Sequence, residues 1–472
     1  MYEMNSSNTT KAEVVVIGAG PGGYVAAIRL GQLNKKVVLI DEDKLGGICL
    51  NYGCIPSKAM IYASEFLDKI KKSSDMGIKV DKVTMDFKKM QEWKDKVVSK
   101  LITGIEFLCK KNNVDVVKGS VVFENSNRLK ISNGKSVSYV DFEKAIISSG
   151  SEPIELPNFK FDGKKIISSR EALYLDKIPK NLVVVGAGYI GLELGTVYAK
   201  LGSKVCVVEM QEQILPGFDK SVVDVLQRNL ENINVEVHLD TKADKIEGKK
   251  IIVNSKEKGR ISLDADKILV AVGRKPNTKN LGIENTKVEL DSDGFIKVDK
   301  YLKTNDKNIY AIGDVSIGPM LAHKASSQGR FAAESIAGDK GSYEGDVVPA
   351  VIFTDPEIAA VGLSEEEAKA KGMNIKAGKF PFSASSRAMT RGSTQGFVKI
   401  ISNENDKKIV GVQIVGHDVS DLISEAALAI RMNASVEDLA LTIHPHPTLS
   451  ESLMEAAEAA MGKAIHILNS KL

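Results

Sequence analysis

One motif occurs twice in this chain, and it constrains the fold more than any other feature. Residues Ala12–Gly23 read AEVVVIGAGPGG, and Asn181–Gly191 read NLVVVGAGYIG. Each is an apolar strand followed by G-x-G-x-x-G. Gly18, Gly20 and Gly23 supply the first copy; Gly186, Gly188 and Gly191 supply the second. A helical segment and another apolar strand follow each time. KKVVLID ends on Asp41 and SKVCVVE on Glu209, so each acid lies 23 positions beyond the first glycine of its motif. In such a turn the first glycine permits the tight bend, the second lets a pyrophosphate reach the backbone, and the third lets helix and strand pack closely. The helix N-terminus then turns its free N–H groups towards the phosphates, and the acid accepts hydrogen bonds from ribose hydroxyls. A single copy fits an ordinary tight turn equally well. Two copies with matching spacing predict two dinucleotide sites on two Rossmann-like α/β units.

At 472 residues the chain is too long for one ordinary core, and its length suggests about three domains. The first unit is expected over residues 1–148, with a Lys-rich helical part from Ala59 to Lys111 and short strands up to Ile147. The second is expected over 149–276. Residues 277–346, with the strand-like NIYAIGD run and a small-residue helix from about Leu321 to Ala337, are expected to complete the first site. From about Val347 strand-like and helical pieces alternate differently, which predicts a separate α+β domain over 347–472. The net charge of +3 is small against 64 basic and 61 acidic side chains, and gives no reason to expect nucleic acid as a partner. The polar start, Met1–Thr10, does not resemble a signal peptide. Val14–Leu30 is apolar but rich in glycine, so it reads as strand, turn and helix rather than a membrane span. A cytoplasmic protein without membrane contact is expected.

Four cysteines in such a chain make no disulfide scaffold. Cys109 and Cys206 stand alone and read as buried thiols. Cys49 and Cys54 lie in GGICLNYGCIPSK, just beyond the strand ending at Asp41. On a straight α-helix, residues five apart have Cα atoms roughly 8–9 Å apart, and a disulfide needs less than about 7 Å. The pair can close only where the helix is distorted, and Gly53 and Pro56 make that possible. Such a bond is expected to be easily reduced, and a helix N-terminus would favour thiolate over thiol. No second Cys or His pair stands at ligand spacing from these cysteines, so no metal site is expected.

Near the C-terminus, HPHPTLSE places His444 and His446 before Glu451. A thiol must lose its proton to attack a disulfide, and histidine suits that near neutral pH. Glu451 could hold the imidazole in one tautomer.

With these segments in order, together with SSGSEP, AVGRKPNT, YAIGDV and PMLAHKAS, nearly the whole chain resembles the pyridine nucleotide–disulfide oxidoreductase family. The resemblance implies FAD on the first copy, held by Gly18, Gly20, Gly23 and Asp41, with Lys58, Asp314 and Ala322 also against it. Gly119 is implied too, although the glycine pattern around it is incomplete. NAD is implied on the second copy, at Gly186, Gly188, Gly191, Glu209, Gly273 and Arg274, with Glu193 paired to Lys58. Cys54 is implied to be the cysteine nearest the flavin and Cys49 the one that meets substrate. His446 is the implied base, supplied by the other subunit of a homodimer joined through the C-terminal domain. Asp41 stands where many family members carry Glu, one methylene longer.

Within the family the resemblance implies oxidation of protein-bound dihydrolipoyl groups with NAD. Reduction of glutathione disulfide with NADPH would need cations for the extra phosphate, where Glu209 offers a negative charge. Reduction of mercuric ion goes with a terminal cysteine pair, where this chain reads AIHILNSKL. A mainly structural subunit would not need Cys49, Cys54, His446 and Glu451 together. No lipoyl-carrying domain is expected ahead of Lys11. The lipoyl group is therefore expected on a partner: the lipoyl domain of an acyltransferase, or a glycine cleavage H protein.

Overall fold

A computed structural model of the chain describes residues 9–345 and 347–469; the polar Met1–Asn8 segment and the last three residues read above lie outside them. The first repeat copy forms β1 (Thr9–Ile17), α1 (Pro21–Gln32) and β2 (Val37–Asp41). Next come α2 (Gly47–Tyr52), α3 (Cys54–Lys71) and the long α4 (Phe87–Lys111). Four strands follow, β3 (Val114–Lys118), β4 (Ser120–Asn125), β5 (Arg128–Asn133) and β6 (Ser136–Ile147). The chain leaves this unit through β7 (Ser151–Pro153), β8 (Ile166–Ile167) and the single turn α5 (Ser169–Ala172).

The second copy forms β9 (Asn181–Val185), α6 (Tyr189–Lys200) and β10 (Lys204–Val208), then α7 (Lys220–Asn232) and β11 (Val235–His238). An antiparallel meander comes next, β12 (Thr241–Glu247), β13 (Lys250–Ser255) and β14 (Gly259–Asp264), before β15 (Lys267–Val270) and β16 (Arg274–Pro276). β17 (Ile309–Ala311) and α8 (Ala322–Ala337) return to the first unit. The C-terminal part comprises β18 (Ala350–Ile352), β19 (Glu357–Gly362), α9 (Glu365–Ala370), β20 (Ile375–Pro381), α10 (Ser386–Thr390), β21 (Phe397–Asn403), β22 (Ile409–Gly416), α11 (Val419–Arg431), α12 (Val436–Leu441) and α13 (Glu451–Met461).

The strand order of the first sheet is β3-β2-β1-β6-β5-β4, and β17 pairs with β6 as a seventh strand. β5 flanks the first half of β6 and β17 the last three residues, so residues 309–311 close a sheet begun 300 residues earlier. Residues 277–346 also give Ile283, Ile296 and Ile309 to the core of this sheet. The second sheet is parallel throughout, in the order β11-β10-β9-β15-β8. β1–β2 and β9–β10 read as near-continuous apolar runs because helices cover one face and other chain the second. The C-terminal sheet, β18-β19-β22-β21-β20, is antiparallel, with α11, α12 and α13 sharing its core. Among the described residues no helix is long and apolar enough to cross a membrane.

The three parts meet at a buried charge cluster. Lys200 of α6, 3% exposed, donates to Asp355 at 2.7 Å, with Glu65 of α3 at 4.0 Å. Burial pushes Glu65 from an ordinary 4.5 up to about 7. A carboxyl whose folded pKa is raised contributes stability at low pH and loses it as pH rises from its unfolded to its folded value. Here that window runs from 4.5 to about 7, at roughly 1.4 kcal/mol per pH unit. Glu65→Gln is therefore expected to raise the thermal midpoint at pH 8 and to do little at pH 4.5. A greater loss at pH 8 than at pH 4.5 would refute this sign.

Candidate active site

Both glycine-rich turns are built alike. Gly18 and Gly186 adopt φ of 95° and 101°, where a side chain would be strained. A Cβ on Gly23 would lie 1.8 Å from the Gly18 carbonyl oxygen, and one on Gly191 2.3 Å from that of Gly186. A Cβ on Gly20 or Gly188 would meet nothing within 4 Å. So the first and third glycines of each copy serve the turn itself, while the second faces open space that a phosphate can enter. The acids complete the match. Asp41 accepts from the Ala19 N–H at 2.6 Å, and Glu209 from the Ala187 N–H, also at 2.6 Å. Each alanine sits between the first two glycines of its motif, which explains the equal acid spacing. The residues at both turns fit a dinucleotide.

Each turn borders its own cavity. The first, about 490 Å³, is lined by Gly18, Gly20 and Asp41, and also by Cys49, Cys54, Lys58, Gly119, Asp314 and Ala322. The second, about 900 Å³, is lined by Gly186, Gly188, Glu209 and Gly273. Arg274 lines both, and Glu193 the first. Gly23 and Gly191 line neither, as their packing role requires. Gly119 enters through its backbone: its N–H donates to the Asp41 carbonyl at 2.9 Å.

The cysteines stand where the helix breaks. α2 ends at Tyr52, Gly53 takes φ −144° and ψ −110°, and α3 begins at Cys54. Here Cys49 and Cys54 are two thiols. They share a hydrogen bond that holds the Cys54 thiol below its ordinary range and the Cys49 thiol far above it. The Lys58 ammonium, one turn on in α3, adds to the depression at Cys54. Of the two thiols, Cys54 is therefore the one that gives up its proton more readily. Lys58 Nζ is 2.8 Å from Glu193 Oε2, and Glu193, 4% exposed, accepts the Phe353 N–H with its other oxygen. That salt bridge ties the cysteine helix to the helix of the second turn.

Two further links were not legible from the motifs. Buried Ser151 donates to Asp314 at 2.6 Å, while Arg274 reaches Ser151 through Nε at 2.8 Å, so a hydrogen-bonded chain runs from one cavity to the other. Tyr189, straight after Gly188, lines both cavities. An aromatic ring where the first copy has Pro21 was its signal in the sequence.

His446 lies apart. Its Nδ1 is 2.8 Å from Glu451 Oε1, with its side chain 71% exposed. Partial burial raises the Glu451 carboxyl, but the Thr448 N–H at 2.7 Å and His446 outweigh it and hold it below its ordinary range. Glu451 thus stays anionic and orients the imidazole. Neither residue lines either cavity, so one chain alone does not bring His446 to the cysteines.

Known proteins carry the same plan. Residues 12–329 match the family model described as pyridine nucleotide-disulphide oxidoreductase, and residues 348–457 match that family's dimerisation domain. The chain is 48% identical over 461 residues to a dihydrolipoyl dehydrogenase of Geobacillus stearothermophilus, covering 97% of this chain and 98% of the relative. It is 45% identical over 468 residues to one of Halobacterium salinarum, covering 98% of each. Among solved structures, LpdA from Mycobacterium tuberculosis superposes with a TM-score of 0.87 at 27% identity, over 95% of this chain and 99% of that one. The flavoprotein disulfide reductase RclA from Escherichia coli does so at 0.84 and 27%, over 94% and 99%. With two matching turns, a cysteine pair between them and these relatives along its length, the chain belongs to the pyridine nucleotide-disulphide oxidoreductase family.

Proposed function

We propose that this chain oxidises protein-bound dihydrolipoyl groups to lipoyl with NAD+ as acceptor, the activity that gives its relatives their name. The observation that carries the reading is the thiol pair opening on the cavity of the first turn, with Tyr189 and Arg274 between it and the second cavity. FAD would be held at Gly18, Gly20 and Asp41, with Lys58, Gly119, Asp314 and Ala322 around it. NAD would be held at Gly186, Gly188, Glu209, Gly273 and Arg274. Segments 1–148, 149–276, 277–346 and 347–472 then serve as FAD-binding, NAD-binding, central and dimerisation parts of a cytoplasmic homodimer. The match of residues 348–457 supports the dimer. So do the exposed Leu428, Met432, Leu441 and Ile443, which precede His446 in the chain. The lipoyl group would arrive on the lipoyl domain of an acyltransferase or on a glycine cleavage H protein.

Catalysis starts from the Cys49–Cys54 disulfide. His446 of one chain takes the proton of a substrate thiol, and the resulting thiolate attacks Cys49 Sγ of the other chain. The Cys49–Cys54 bond breaks and Cys54 leaves as a thiolate, stabilised by Lys58 and by its place at the start of α3. The second substrate thiol gives its proton to the Cys49 sulfur as it closes on the first substrate sulfur, so lipoyl departs and Cys49 becomes a thiol. The electron pair and one proton now reside on the cysteines, and the other proton on His446. FAD held at the first turn would supply the redox chemistry by which this pair reaches NAD+.

Steady-state rates test the assignment: dihydrolipoamide with NAD+ is expected to be turned over faster than glutathione disulfide with NADPH, and the reverse order would overturn it. Glu209 is the expected reason for the nucleotide choice. Its carboxylate is fixed by the Ala187 and Gln211 amides and would repel a 2′-phosphate. Glu209→Ala should raise KM for NAD+ roughly 10- to 100-fold, the worth of hydrogen bonds to a charged group, and should narrow the preference over NADP+. An unchanged KM would remove Glu209 from the site.

A further inference from the structure

Cys206 stands alone in the sequence but not in the fold. It lies on β10 in register with Glu236 on β11, and His238 is two residues further along β11. Register partners on parallel strands, and residues two apart, project from the same face. Thiol, carboxylate and imidazole therefore converge on the side of the sheet that β12–β14 cover, where Cys206 shares a core with Val185, Val208 and Val253. One ligand atom from each of the three lies within 4.8 Å of the other two. β11 is an edge strand, so the cluster opens at the sheet margin through Glu236, which is 54% exposed.

A separate observation points to a missing ligand. His238 is 9% exposed, and its Nε2 is buried without a hydrogen-bond partner among the described residues. That nitrogen is 3.0 Å from the Glu236 carboxylate but outside hydrogen-bond geometry. Buried polar atoms are nearly always paired, and an orphan nitrogen on a residue of such a cluster calls for an ion or water.

We propose that Cys206, Glu236 and His238 bind a thiophilic divalent metal ion, zinc matching them best, at the edge of the second nucleotide-binding unit. Sulfur, nitrogen and oxygen together suit zinc, whereas magnesium and calcium take oxygen alone. Three protein ligands leave one tetrahedral position for water, and the open margin supplies it. Charge agrees as well. One thiolate and one carboxylate neutralise a dication beside a neutral imidazole, which removes the cost of burying a lone thiolate. Without metal, burial pushes the Cys206 thiol up to about 12, so the ion must displace a proton on binding, as in other thiolate sites. The Glu209 N–H donates to the His238 carbonyl at 2.9 Å, so the ion would clip the edge strand to the strand that ends in the nucleotide-binding acid.

The test is equilibrium dialysis of the oxidised holoenzyme against zinc chloride, with metal measured by mass spectrometry. About one zinc per chain is expected, with a sulfur neighbour at about 2.3 Å and a nitrogen at about 2.0–2.1 Å in X-ray absorption. Cys206→Ser and His238→Asn should each weaken binding more than about tenfold. Zinc should raise the thermal midpoint of the wild type and of neither variant, because a ligand stabilises only the state that binds it. The Cys49→Ser/Cys54→Ser double variant should keep its zinc. The proposal is overturned if the wild type retains no zinc. It is equally overturned if the metal is lost with Cys49 and Cys54, or if His238→Asn binds as the wild type does.

Discussion

Cys54→Ser is expected to lower the rate of dihydrolipoamide oxidation by NAD+ on the order of a thousandfold or more, because a covalent pathway loses a sulfur that no neighbour replaces. Cys109 and Cys206 are buried in other clusters and cannot substitute. The variant should still fold and stay yellow, since Gly18, Gly20 and Asp41 are untouched. It should also keep transferring electrons from NADH to an artificial acceptor, a reaction that needs both cavities and no thiol. That split separates loss of chemistry from loss of structure. Cys49→Ser should behave the same way in turnover but differ as a thiol. The remaining Cys54 exchanges its thiol partner for a serine hydroxyl, which can still donate to the thiolate, and Lys58 still favours that thiolate. A Cys54→Ser enzyme with activity near wild type would sink the disulfide mechanism.

His446→Gln is expected to cost roughly 10²- to 10⁴-fold in rate, the usual worth of a positioned base. The deficit should shrink as pH rises towards the substrate thiol pKa, because thiolate then forms without help. Glu451→Gln should show a smaller loss in the same direction, since it orients the imidazole without touching substrate. The distance between His446 and the cysteines in one chain adds a sharper test. Mixing inactive Cys49→Ser with inactive His446→Gln subunits should restore up to roughly a quarter of wild-type activity, as half the dimers are mixed and each holds one intact site. A base acting within its own chain would leave every mixed dimer dead.

Much of this was legible in the sequence because its strongest signals are local. Each turn lies within a dozen residues, and the acid spacing is explained by the Ala19–Asp41 and Ala187–Glu209 bonds. The five-residue gap between Cys49 and Cys54 required a break, and Gly53 provides it. Long-range partners could not be read. The β6–β17 pairing and the Ser151–Asp314 bond each join residues about 160 positions apart, with no periodicity to announce them. The β12–β14 meander hides because Thr241–Glu247 and Gly259–Asp264 are mostly solvated and carry charged residues that mask the alternation. Cys206 looked isolated because its neighbours arrive from the next strand, 30 residues on.

If Cys49 and Cys54 exchange an electron pair with substrate on one side and NAD on the other, their availability as thiols must follow both. Anaerobic alkylation with mass-spectrometric mapping reads that availability. The oxidised holoenzyme should show Cys49 and Cys54 unlabelled. One equivalent of dihydrolipoamide, or of NADH, should expose both to alkylation and leave buried Cys109 and Cys206 as they were. Excess NAD+ added before the alkylating agent should reverse the change produced by dihydrolipoamide. Labelling of Cys49 and Cys54 that ignores both reductants would rule out this exchange.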